Sequence, residues 1–318
     1  MQHQQENMMY KQQKLGIILN PAAGRGRAGN VRKRLISRLQ EKKIPFHLEL
    51  TKKPGHAKEI ALRMSENFKI IVAAGGDGTV NEVVTGVVGR KTTIGILPIG
   101  SGNDFSKAIG SSKNTDDVID AIIRGSKQLL DLGEVSYWND LGEKKEKYFV
   151  NTLGMGLDAE IAKETRKIKF LRGLPLYLLA AIKAIKKHSS NEYKITDRRT
   201  TKLERAFLIC VGNGCFEGGG FKLLPNAKPS DSLLDLCILG AMPIHKAISI
   251  VPKLIKGKHE NLLNVSMWKA RKFFIEGKDA FILHGDGEIF EENTTRAEIK
   301  LAKNQISFIM PKEQLSEL

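Results

Sequence analysis

The stretch KIIVAAGGDGTVNE, Lys69 to Glu82, decides the fold. An apolar run ends in a glycine-rich turn that carries one carboxylate, and a helical stretch begins directly after it. Glycines at such a turn reach φ > 0 and aim backbone amides inward. Asp77 and Thr79 add a carboxylate for a metal-bound phosphate and a hydroxyl donor. Read as a strand, a phosphate-sized cradle and a helix, this is the unit of a parallel α/β sheet, which binds ligands at the carboxyl ends of its strands.

The same unit recurs on both sides. Apolar runs at Leu15–Leu19, Phe46–Leu50, Lys69–Ala73, Thr93–Pro98 and Leu129–Val135 alternate with helical stretches at Asn30–Lys43, His56–Asn67 and Val80–Val88. Upstream, Gly24, Gly26 and Gly29 form a GxGxxG match between a strand and a helix, with Glu49 where a dinucleotide fold keeps its ribose-binding acid. Alone, that loop fits either NAD or a plain Gly/Arg turn, and no Lys-Ser or Lys-Thr closes it as a Walker loop. Downstream, Leu97-Pro98-Ile99-Gly100-Ser101-Gly102-Asn103-Asp104 again puts small residues, a hydroxyl and an Asn-Asp pair after a strand.

Beyond about Val135 the texture becomes strand after strand, interrupted by one helical stretch at Lys163–Lys187, so a second, β-rich domain is expected. The boundaries read as an α/β domain over 14–134, a β-rich domain over 135–303 and a final strand that returns to the first domain within 304–318. Cys210, Cys215 and Cys237 match neither a zinc nor a redox spacing and read as buried thiols. The longest stretch free of charge, Thr92–Asn103, is too short to span a bilayer, and the first residues lack a secretory pattern, so a cytoplasmic location is expected.

Together these motifs resemble the diacylglycerol kinase catalytic domain family, the group of bacterial lipid kinases related to sphingosine and ceramide kinases. GGDGT is shared with NAD kinases and, loosely, phosphofructokinases. The discriminating parts are the LPxGxxND loop and the late Asp286-Gly287-Glu288. The resemblance implies a Rossmann-like, NAD-kinase-like α/β domain, a carboxy-terminal β-sandwich, ATP and Mg2+ as cofactors, and a lipid alcohol, diacylglycerol first, as acceptor. It implies nucleotide contacts from Asn20, Pro21, Ala22, Ala23, Gly24 and Thr51, from Gly75, Gly76, Asp77, Gly78, Thr79, Val80, Asn81 and Glu82, and from Ser101, Asn103 and Asp104. Under it the GxGxxG match becomes a phosphate-side loop of an ATP site and Glu49 loses its ribose role. Lys228 and Leu233, through their carbonyls, and Asp231, through its side chain, resemble the family's structural magnesium loop, whereas without the resemblance the same run reads as a plain turn before a strand. Ser232 stands where relatives often have Gly.

Phosphoryl transfer to an alcohol needs a positioned hydroxyl, neutralised phosphate charge and a base. Glu288, flanked by glycine and matching the family's proton acceptor, is the expected base. Asp286 supports it or the metal, or simply makes a hairpin turn. Asp77, Asp104 and Asp131 follow strands and would hold a catalytic magnesium through waters.

The chain's 318 residues hold 51 Lys and Arg against 35 Asp and Glu, a net +16 that favours anionic partners. From Glu160 to Arg205 there are thirteen basic and five acidic residues, a net +8 (13 − 5). Leu174, Leu178, Ile182 and Ile185 share a helical face there, with Lys183, Lys186 and Lys187 off it. This is either a peripheral contact with an anionic membrane or an ordinary helix with a solvated basic face. Aromatics at 6% and the lack of a nucleic-acid module exclude nucleic acid as a partner, and a homodimer stays open. An NAD kinase and a catalytically silent lipid-binding protein of the same fold are the alternative functions.

Overall fold

In the computed structural model, residues 14–112, 114–168, 170–171, 173–185 and 190–310 are described. The chain divides into two compact units: one runs to Leu130 and resumes at Asn304, and the other spans Asp131–Lys303.

The first unit is built on strands β1 (Leu15–Leu19), β2 (Phe46–Leu50), β3 (Ile70–Gly75), β4 (Thr93–Pro98) and β5 (Ser126–Leu130), joined by the last strand of the described chain, Ile306–Met310. That last strand is β15 in chain order, and the sheet runs β2-β1-β3-β4-β15-β5. All neighbours are parallel except β15 and β5. β1 and β3 are buried along their whole length, as central strands covered on both faces must be. Ile17, Leu19, Val72, Ala74 and Leu97 pack there with Val118 and Ile122 of the helix Thr115–Arg124. The Asn114 side chain caps that helix by accepting the Asp116 amide at 3.0 Å.

The second unit contains β6 (Gly133–Asn139), β7 (Lys144–Phe149), β8 (Thr152–Gly156), β9 (Asn191–Thr196), β10 (Thr201–Gly212), β11 (Leu234–Gly240), β12 (Val265–Ala270), β13 (Lys272–Gly285) and β14 (Glu288–Leu301). They form one nine-stranded sheet in the order β12-β11-β10-β8-β13-β14-β6-β7, with β9 paired to both β10 and β13. Register shifts in β13 between Glu276 and His284 bend this long strand. Tyr137, Phe149, Tyr193, Phe273 and Phe281 fill the resulting sandwich-like core. Among the described residues three helices lie in this unit: Leu157–Lys167, Gly173–Ile185 and Ile244–Lys256.

Several sequence expectations are corrected. The apolar run Leu129–Val135 is the end of β5 and the start of β6, which belong to different sheets. The buried Asp131 separates them, its amide donating to Pro229 O at 2.7 Å. The helical stretch Lys163–Lys187 falls on two separate helices, Leu157–Lys167 and Gly173–Ile185, and Lys186 and Lys187 lie outside the described residues. The helix Ile244–Lys256 was not anticipated. Cys210 and Cys237 are buried, and burial pushes the Cys237 thiol up to about 12, whereas Cys215 is only half-buried. No helix among the described residues is long and apolar enough to cross a membrane.

Candidate functional site

The first unit gathers its three glycine loops at one edge of the sheet, because β1, β3 and β4 are adjacent and parallel. Asn20 follows β1; its Oδ1 accepts the Ala22 amide at 2.9 Å and its Nδ2 donates to Thr79 Oγ1 at 3.2 Å. The loops meet backbone to backbone. A Cβ on Gly24 would lie 2.2 Å from the Ile99 carbonyl oxygen, and one on Gly75 2.4 Å from Thr79 Oγ1. Gly24 itself has φ +65, a conformation that side chains disfavour.

Asp77 opens the helix Asp77–Val87, and its Oδ1 accepts the Phe105 amide at 3.2 Å, tying the second loop to the third. Asn103 adopts φ +54 and donates from Nδ2 to Gly100 O. Asp104 is buried and pairs with Lys107 at 2.9 Å. Pro21, Ala22, Ala23, Gly78, Val80 and Ser101 lie in these loops or the first turn after them. Thr51 directly follows β2 at the same edge, its amide donating to Leu19 O at 2.9 Å.

Glu82 does something sequence reasoning missed. Its two oxygens accept the amides of Gly55 at 2.8 Å and Ala57 at 2.9 Å, holding the start of the helix His56–Met64. Glu49 bonds both Arg63 and His47. Burial raises its pKa, but the bonds to Arg63 and His47 outweigh that and leave it below the usual carboxylate range.

In the second unit, Asp286 sits in a left-handed turn at φ +47 and is buried. Its carboxylate accepts three successive backbone amides, Val150 at 2.6 Å, Asn151 at 2.9 Å and Thr152 at 3.2 Å. The turn therefore fixes where β14 begins, and Glu288 is its first residue, just past Gly287, whose α-carbon has open space around it.

The run Lys228–Leu233 folds as a turn, with Leu234 and Asp235 opening β11, and Leu233 N donates to Asp231 Oδ1 at 3.0 Å. Ser232 reaches φ +60, the conformation a glycine would take, and its amide donates to Asp131 Oδ2 at 2.7 Å. The Lys269 ammonium stands 2.9 Å from Asp231 Oδ2 and 3.2 Å from Asp235 Oδ2. Burial pushes Asp235 up to about 6 despite that lysine. No group of three or more His, Cys, Asp or Glu residues is arranged to hold a metal among the described residues. The loop's donors are of another type: carbonyls and one carboxylate, whose oxygens keep lone pairs beyond the bonds to Leu233 and Lys269. They suit a hard cation. Lys269 escaped sequence reading because nothing local marks a lysine over thirty residues away in sequence as a partner of this turn.

A second feature of this unit is an apolar slot under the helices Leu157–Lys167, Gly173–Ile185 and Ile244–Lys256. Leu157, Ile185, Phe207, Phe221, Val251 and Leu254 are among its walls, and Glu217 is the one charged residue lining it among the described residues. Its cavity is narrow, about 60 Å³.

A model of the diacylglycerol kinase catalytic domain matches residues 14–135, and one of the YegS C-terminal NAD kinase beta sandwich-like domain matches 151–306. YtlR of Bacillus subtilis, a candidate lipid kinase, is 30% identical over 86% of this chain and 92% of its own length. The diacylglycerol kinase of the same species is 28% identical over 95% of this chain and 98% of its own. A candidate diacylglycerol kinase structure from Bacillus anthracis superposes with a TM-score of 0.78 at 24% identity, covering 96% of this chain and 97% of that one. Yeast NADH kinase shares the fold at a TM-score of 0.56 and 9% identity, covering 96% of this chain and 86% of that one. A Rossmann-like α/β unit with joined glycine loops, together with a β-sandwich-like unit, is the NAD-kinase-like fold. The chain belongs to the diacylglycerol kinase catalytic domain family.

Proposed function

We propose that this protein transfers the γ-phosphate of ATP to the hydroxyl of a lipid alcohol, diacylglycerol first, giving phosphatidate. The observation that carries the lipid reading is the apolar slot: a nucleotide acceptor such as NAD has no use for walls of Leu, Ile, Val and Phe, whereas acyl chains do. In this reading the loops at Asn20–Gly24, Gly75–Thr79 and Gly100–Asp104 present amides and hydroxyls to the ATP phosphates. Glu288 takes the proton of the acceptor hydroxyl as its oxygen bonds to phosphorus, and Asp286 holds the turn that aims it. When bound, Mg2+ neutralises phosphate charge; Asp77 and Asp104 would hold it through water at the nucleotide, and the carbonyls of Lys228 and Leu233 with Asp231 would hold a structural ion. Exposed Ile182, Ile244 and Ile248 beside Lys183, Lys246 and Lys253 support peripheral contact with an anionic membrane in the cytoplasm.

The test is transfer from radiolabelled ATP to a panel of diacylglycerol, a sphingoid base, an isoprenoid alcohol and NAD. Label in phosphatidate is expected. Label only in NADP overturns the reading, and lipid binding without transfer to any acceptor makes the protein a silent binder.

A further inference from the structure

Away from the slot and the glycine loops, the second unit has a wide cleft of about 390 Å³, lined among others by Asp197, Arg198, Arg199, Lys269, Arg271 and Lys272. Five of these six carry positive charge. Two connections build it: the turn between β9 and β10 supplies residues 197–199, and the link between β12 and β13 is Arg271 itself.

The one carboxylate among these six offsets only part of the charge, and it lies beside Arg199. Asp197 Oδ1 accepts the amides of Arg199 at 2.6 Å and Thr200 at 2.7 Å, and Oδ2 accepts Trp268 Nε1 at 2.9 Å. Burial raises its pKa, and these bonds outweigh that to leave it lowered, so it is a charged clasp for the turn. Two of the cations are also engaged: Lys269 by Asp231, Asp235 and the Asn226 carbonyl, and Lys272 by Glu298 at 2.8 Å. That leaves three exposed guanidiniums, Arg198, Arg199 and Arg271, with no ion pair between side chains among the described residues. A further cation, Lys202, lies 4.8 Å from the Trp268 ring centre and occupies the aromatic face.

We infer that this cleft is an anion site for a phosphate monoester, gripped by Arg198 and Arg271 with Arg199 beside them. Guanidiniums that line one cleft repel one another until an anion enters, and their planar forks match the oxygens of phosphate in a way that lysines do not. The cleft has room for the phosphate and a small polar stem. Trp268, with its Nε1 bonded to Asp197 and Lys202 over its ring, does not line the cleft, and none of the described lining residues is aromatic, so the cleft offers a nucleobase no ring to stack on. Leu233 lines the same cleft, and Lys269 reaches from it to Asp231, so an occupant sits beside the Lys228–Leu233 turn. The inference does not rest on the kinase reading.

The test is calorimetric titration of the full chain with inorganic phosphate, glycerol 3-phosphate and dioctanoyl phosphatidate at constant ionic strength. It compares the native chain with R198Q/R271Q, and ATP affinity is measured alongside to separate the cleft from the glycine loops. The double variant is expected to lose at least tenfold in affinity for the phosphate monoesters and to bind ATP within twofold of the native chain. Loss for all three probes means that the free anion suffices, and loss for phosphatidate alone makes the lipid headgroup the source. R198K/R271K, which keeps the charge and removes the forks, is expected to fall between the two. Equal affinity of native chain and double variant for every probe, or no binding by the native chain, overturns the site.

Discussion

Gly76 and Gly100 are in backbone contact: a Cβ on Gly100 would lie 2.5 Å from the Gly76 α-carbon. The contact joins the loop after β3 to the loop after β4, and no side chain at position 100 fits without moving one of them. Gly100→Ala is therefore expected to destabilise the first unit by about 1–3 kcal/mol, the usual cost of overpacking. It should also weaken ATP binding at least tenfold. Thermal melts and ATP titration check both, and an unchanged melting temperature with native ATP affinity counts against the contact.

Glu288→Gln keeps the shape of the side chain and removes its basicity. The KM for ATP should stay within threefold while kcat falls by about 10² to 10⁴, the range typical of a positioned base. Steady-state assays with labelled ATP measure the two separately.

Asp286 acts through the turn that it clasps, so its loss should appear in stability as well as in rate. Asp286→Asn leaves one of the three backbone amides at Val150–Thr152 poorly paired, and an unsatisfied buried donor costs about 1–3 kcal/mol. Its effect on kcat should largely vanish in the Glu288→Gln background, because a positioning residue has nothing left to position. A double-mutant cycle on kcat reads this coupling.

Asp235 gives a pH dependence of known sign. Its folded pKa is raised to about 6 from an ordinary 3.8, so between those values the native state binds more protons than the unfolded chain. Stability from this group is then complete below about pH 4 and is lost as pH rises through 6, an effect of order 3 kcal/mol. Melts of wild-type protein and Asp235→Asn at pH 4 and pH 7 should show this loss in the wild type and its absence in the variant.

The slot predicts a chain-length effect. Val251→Phe adds bulk to one wall, and the KM for a long-chain diacylglycerol should rise at least fivefold while that for a dihexanoyl acceptor stays within twofold. Equal effects on both acceptors would mean that the acyl chains lie elsewhere.

The glycine loops were legible in the sequence because phosphate chemistry demands small residues at strand ends, and the parallel alternation placed three such ends side by side. The break at Asp131 was not: Leu129–Val135 is apolar enough for one strand, and only the distant Pro229 carbonyl and Ser232 amide reveal why the chain turns there. Gly173 and Pro175 were a local signal that the stretch Lys163–Lys187 contains a second helix start, since Pro is tolerated in a first turn. Pro243 and Pro252 disguised the helix Ile244–Lys256, even though Ile244, Ala247, Ile248, Val251 and Leu254 keep helical spacing. Lys269 and the arginine cleft depend on which strands become neighbours, and that is decided by pairing across the whole sheet.

β15 separates β4 from β5 in the first sheet. During synthesis on the ribosome, β1 to β5 all emerge before residues 131–303, yet β5 has no partner until Ile306–Met310 has been made. The first unit must wait with a strand's worth of unpaired amides and carbonyls while the whole second unit is translated. A nascent chain stalled before Ile306 should therefore be a client for chaperones and easily cut by protease near Ser126–Leu130, and release of the last strand should end that vulnerability in one step.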